Sequence, residues 1–143
     1  MEEDTRKLLQ ECSRGCKMAI DSMEQVKEHI SDDRLEKVID EYEDKHRKSE
    51  YEASVLLDQA GQEEKEPGAA ASAFAWVSTE MKLAMKDDNR QVAKLMMNGC
   101  NMGIQSISEN INKYQDASKE SIHIAKDIVK MEEAFMGELK DFL

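Results

Sequence analysis

The sequence predicts an all-α protein: an antiparallel four-helix bundle made of two helical hairpins joined by a long crossover. Three observations carry that prediction. Charged residues make up 36% of the chain and aromatics only 5%, with one proline and six glycines, whereas sheets favour aromatic and β-branched residues and short helices need more punctuation. Apolar residues recur at alternating steps of three and four over long stretches, the period of one helix face. Finally, the octapeptide "GCKMAIDS" (15–22) returns 84 residues later as "GCNMGIQS" (99–106).

Each element follows from its stripe. Leu9, Cys12, Cys16, Ala19, Met23, Val26 and Ile30 predict a first helix over 3–30. "SDD" (31–33) reads as a tight turn and N-cap. Leu35, Ile39, Tyr42, His46, Ser49, Ala53, Leu56 and Ala60 continue the alternation through a second helix over 32–60, ending at Gly61. "GQEEKEPG" (61–68) holds the only proline and opens a crossover over 61–87, with a short helix at about 69–86. Ala93, Met96, Cys100, Gly103, Ile107 and Ile111 predict a third helix over 88–114. After "YQDAS" comes a fourth over 117–142, marked by Ser121, Ala125, Ile128, Glu132, Phe135, Leu139 and Phe142. A chain of 143 residues in this pattern is expected to form a single domain.

The octapeptide sits mid-way along the first helix of each hairpin. Aligning its copies also pairs Cys12 with Met96, Ala19 with Gly103 and Met23 with Ile107, which reads as duplication of a hairpin. Gly15, Ala19, Gly99 and Gly103 suggest close helix approach there. Antiparallel geometry then sets His46 level with Cys16 across one turn, and Glu132 level with Cys100 across the other. A central layer of Cys16, His46, Cys100 and Glu132 is expected, with Glu43 one turn from His46. Buried polar groups need partners, so hydrogen bonding or ion pairing is expected within it.

Several function classes are disfavoured. A net charge of −11 opposes binding to nucleic acid or to an anionic membrane surface, since both are polyanionic. No apolar run reaches the length of a membrane span, and "MEEDTRKLL" is acidic rather than a charged-then-apolar export signal. A cytoplasmic location follows as the expectation. Cys12, Cys16 and Cys100 are odd in number and lack paired CxxC spacing, so free thiols are expected. Neither a phosphate-cradling Gly-rich loop nor a nucleophile elbow is visible.

Two hairpins, a long crossover and an internal repeat resemble the ferritin-like superfamily over the whole chain. The crossover "AFAWVSTEMKLAMKDDN" (73–89) brings the resemblance nearest to bacterial ferritin-like, rubrerythrin-related families of unknown function. The resemblance implies a di-metal centre with one Glu on each hairpin's first helix and Glu-x-x-His on each second helix. "EDKH" (43–46) and "ESIH" (120–123) carry that spacing. On the helical wheel, however, His123 points away from the stripe, and Cys16 and Cys100 occupy the places of the first-helix glutamates. The implied reading is a bacterial bundle with a degenerate di-metal site and a structural or interaction role rather than an enzymatic one. Self-association as a homodimer would use the helix faces or the crossover with Trp76. The alternative is a metal protein binding iron, zinc or copper as Cu(I) through Glu43, His46, Glu132, Cys16 and Cys100. A second alternative is a thiol redox sensor using Cys16 and Cys100.

Overall fold

The computed structural model of the chain describes residues 2–60 and 88–143. They form four helices: α1 (Glu2–Val26), α2 (Asp33–Gln59), α3 (Asn89–Lys113) and α4 (Lys119–Leu139). Among the described residues there is no strand. The expected crossover, with its short helix and Trp76, lies outside them. α1 stops four residues before its expected end at 30: the chain tightens into a 3-10 turn at Lys27–His29, and Ile30 is extended. A second such turn, Lys140–Phe142, follows α4.

Side chains on the polar side of each turn start three of the helices. Asp32 Oδ1 accepts from Arg34 N at 2.8 Å, and Asp88 Oδ1 from Arg90 N at 3.0 Å. Ser118 Oγ accepts from Ser121 N at 3.2 Å. Each satisfies a first-turn amide that has no partner within the helix.

α1 packs chiefly on α2 and α3 chiefly on α4; the two hairpins then meet α1 against α3 and α2 against α4. Two clamps give their relative direction. Asn89 Oδ1, at the start of α3, accepts from Ser31 N at 2.9 Å and Asp32 N at 3.2 Å in the α1–α2 turn. Near the start of α1, Asp4 Oδ2 accepts from Asp116 N at 3.2 Å and Thr5 Oγ1 from Ser118 N at 2.8 Å in the α3–α4 turn. α1 and α4 therefore run one way, α2 and α3 the other. α2 finishes at one end of the bundle, and α3 begins at the opposite end.

The buried positions of the hairpins correspond. Leu8, Leu9, Cys12, Cys16 and Met23 of α1 are matched, 84 positions on, by Val92, Ala93, Met96, Cys100 and Ile107 of α3, all buried. Leu35, Ile39, Tyr42, His46 and Ala53 of α2 are matched, 86 positions on, by Ser121, Ala125, Ile128, Glu132 and Leu139 of α4. The clamps obey the same offsets, since Thr5 corresponds to Asn89 and Asp32 to Ser118.

The apolar core falls into two clusters. One, near the α1–α2 turn, includes Met23, Val26, Leu35, Ile39, Tyr42, Val92, Phe135 and Leu139. There the Tyr42 and Phe135 rings stack with centroids 4.6 Å apart, and Tyr42 Oη donates to Glu138. The other, near the α3–α4 turn, includes Leu8, Leu9, Cys12, Cys16, Leu57, Ile124 and Ile128. Polar side chains of α2 and α4 lie between them.

Candidate functional site: a histidine–glutamate pair at the bundle centre

His46 is in the middle of α2 and 1% exposed; Glu132 on α4 is 6% exposed. His46 Nε2 lies 2.5 Å from Glu132 Oε1, and its Nδ1 lies 2.6 Å from the carbonyl oxygen of Tyr42, one turn back. A carbonyl can only accept, so Nδ1 carries a hydrogen and donates it. The Nε2–Oε1 contact then needs one further proton between imidazole and carboxylate. Whichever atom holds it, the pair is neutral as a unit, and both ring nitrogens are satisfied without water. This is how a bundle core keeps two ionisable side chains dry.

Cys100 and Cys16 border this pair. Burial pushes the Cys100 thiol up, and the charge of Glu132 and a hydrogen bond to it add to the effect. Burial likewise raises the Cys16 thiol well above the usual range, with Cys12, Glu132 and Glu50 adding to the rise. Cys12 is pushed up to about 12, again mainly by burial. All three are free and buried, and a buried neutral thiol is a small apolar group rather than a nucleophile. Gly103 faces the carboxyl: a Cβ there would stand 3.6 Å from Glu132 Cδ, an ordinary van der Waals contact, so the carboxyl does not depend on the glycine for space. A Cβ at Gly15 would meet Ile107 Cδ1 of α3 at 3.7 Å, again an ordinary contact. Gly99, expected at a close approach, is exposed, and a Cβ there would meet nothing within 4 Å.

Glu43 does not join the pair. It is only 3% exposed, yet it turns toward the end of α1. Its Oε1 lies 2.5 Å from Lys27 Nζ, an ion-pair contact outside hydrogen-bond geometry. Its Oε2 accepts from Arg47 Nη2 at 2.6 Å. Arg47 also donates to Glu24 at 3.1 Å, and Lys27 reaches Asp40 at 3.0 Å. Burial pushes the Glu43 carboxyl up, but contacts with Glu24, Lys27 and Arg47 outweigh that and bring it down to about 2. Glu43 is therefore a charged carboxylate held by cations.

The second Glu-x-x-His motif is at the surface. Glu120 is exposed, and His123, 76% exposed, pairs with Asp127 at 3.1 Å. Of the five candidate ligands, His46 and Glu132 are in contact, Cys16 and Cys100 flank Glu132, and Glu43 faces elsewhere. Among the described residues no group of three or more His, Cys, Asp or Glu side chains is disposed to hold a metal ion. The donor set does not fit a carboxylate-rich di-metal centre: the ring nitrogens and one carboxylate are engaged with protein groups, and the thiols are held protonated. Two partners of the site escaped the sequence reading. The Tyr42 carbonyl has no side-chain signature, and Lys27 reaches Glu43 from beyond the end of α1. Only the i,i+4 spacing of Glu43 and Arg47 was a usable signal.

Among the described residues no helix is long and apolar enough to cross a membrane. No family model, curated protein or solved structure matches the chain.

Proposed function

We propose that the chain is a ferritin-like bundle of two duplicated hairpins, with a non-catalytic structural or interaction role and a degenerate di-metal site. The observation that carries this reading is the His46–Glu132 contact at 2.5 Å, closed on its other side by the Tyr42 carbonyl. The pair supplies internally the satisfaction that a metal supplies in an active ferritin-like centre. Support for the ferritin-like part comes from the helix directions, with a chain path that leaves α2 at one end and enters α3 at the other. Support for duplication comes from the matched buried positions at offsets of 84 and 86. The acidic charge of −11 goes with a cytoplasmic protein that avoids nucleic acid and anionic membrane, and a homodimer through helix faces is its expected self-association.

Elemental analysis of protein purified without chelator, combined with thermal melts, tests this. Well under one metal per chain and no rise in Tm with Fe(II), Zn(II) or Cu(I) is expected. A stoichiometric metal, or a Tm that climbs with added metal, supports instead a metal protein with its site at the bundle centre. The placement of Cys16 and Cys100 around Glu132 is what favours that second reading, because thiolates suit Cu(I) and Zn(II). The redox-sensor reading requires an accessible thiolate. Fast labelling of Cys16 or Cys100 in the folded protein would support it.

A further inference from the structure

Among the corresponding buried positions of α2 and α4, His46 and Glu132 alone are ionisable in both hairpins and opposite in character. The α1–α3 side of the hairpin interface and the two clamps are nearly indifferent to which hairpin they meet, whereas along α2 and α4 the matched residues also differ in size, as Leu35 and Ser121 or Ala53 and Leu139 do. Thr5 Oγ1 and Asn89 Oδ1 are both acceptors, and Asp32 and Ser118 both offer them a backbone N–H. The rows Leu8, Leu9, Cys12 and Val92, Ala93, Met96 are apolar on both sides. A first hairpin could thus meet a first hairpin from a second copy of the chain with its clamps and its α1 face satisfied.

We propose that His46 and Glu132 are the specificity-determining residues of assembly, selecting first-with-second hairpin pairing over pairing of like hairpins. Two first hairpins bring two imidazoles together. Each donates Nδ1–H to its own Tyr42 carbonyl, as in the structure, and neither Nε2 finds a carboxylate. Two second hairpins bring two carboxylates together, with no imidazole between them. Either arrangement leaves buried polar groups unmatched or, where a proton is shared between like groups, a net charge in the core, and that penalty falls only on wrong pairings. The Tyr42–Phe135 stack at 4.6 Å contributes shape, because the position in α2 corresponding to Phe135 is Ser49. The polar pair contributes sign, as a single buried polar residue does in fixing partner choice in coiled coils. The inference uses only the geometric correspondence of the hairpins, so it stands apart from whether the bundle is ferritin-like or binds metal.

The test uses four full-length chains: wild type, H46E, E132H and the reversed double variant H46E/E132H. Each single variant places like groups at the centre and is expected to lower Tm by about 10 °C or more. The reversed double variant recovers most of that loss. H46E and E132H are then unfolded together and refolded as a mixture, with a tag on one. Exchange of hairpins restores an imidazole opposite a carboxylate in both halves. The tagged H46E chain is expected to retain untagged E132H at about 1:1, in a species melting near wild type. This readout holds even if neither single variant folds alone. Single variants as stable as wild type, a reversed double no better than the singles, or a mixture in which E132H is not retained would each overturn the proposal.

Discussion

Glu43 and Glu132 are the two buried carboxylates among the described residues, and they are held in opposite ways. Glu43 lies at the outer edge of the α1–α2 hairpin and remains charged between Lys27 and Arg47, whose stems lead out to water. Glu132 lies between the hairpins and is hydrogen-bonded to His46. The edge carboxylate ties a helix to its own hairpin partner, and its cations can rehydrate if it is lost. The central one joins the two hairpins, and its partner cannot reach water. Burial alone therefore says little about what a carboxylate does; the partner and its access to solvent decide.

The largest expected effect comes from breaking the central pair on one side. E132L or H46L leaves a buried polar partner unmatched and should cost about 3–5 kcal/mol in urea unfolding. The edge site should respond less, and with a different pH dependence. The folded Glu43 carboxyl titrates at about 2 against an ordinary value of 4.5. Its contribution to stability is thus complete above about pH 4.5 and is lost as pH falls toward 2. E43Q should remove on the order of 2 kcal/mol at neutral pH and flatten acid denaturation in that window. The clamp at the start of α3 is smaller again. N89A should cost about 1 kcal/mol by thermal melt, since the amides of Ser31 and Asp32 gain water in its place. H123A should lie within about 0.5 kcal/mol of wild type, because its pair with Asp127 is exposed. A cost at H123A comparable to that at H46L would erase the distinction between the two Glu-x-x-His motifs.

The helices were legible because their stripes keep one period over many turns, and the "SDD" turn announces the start of α2 as a cap. The level of the central layer was legible too. Counting back from each turn brings His46 opposite Cys16 and Glu132 opposite Cys100, and both stripes face one core. The direction of Glu43 was not legible. It sits three residues before His46 on the shoulder of the stripe, where a small rotation decides between core and edge. What settles that rotation is Lys27, a residue beyond the last α-helical turn of α1, whose position depends on how the chain tightens there. Gly99 failed for a related reason: a glycine next to a core cysteine looks like a close contact, but it lies on the outer side of α3. Gly103, one turn on, is the one that faces the core, against the Glu132 carboxyl.

The central claim is that His46 is spent on protein partners rather than kept for a metal. A 15N spectrum of the histidine ring nitrogens tests it most directly. The expected result is a protonated, hydrogen-bonded Nδ1 for His46 and an Nε2 signal that does not move when one equivalent of Fe(II), Zn(II) or Cu(I) is added. An Nε2 signal that shifts or broadens away at stoichiometric metal would contradict the account.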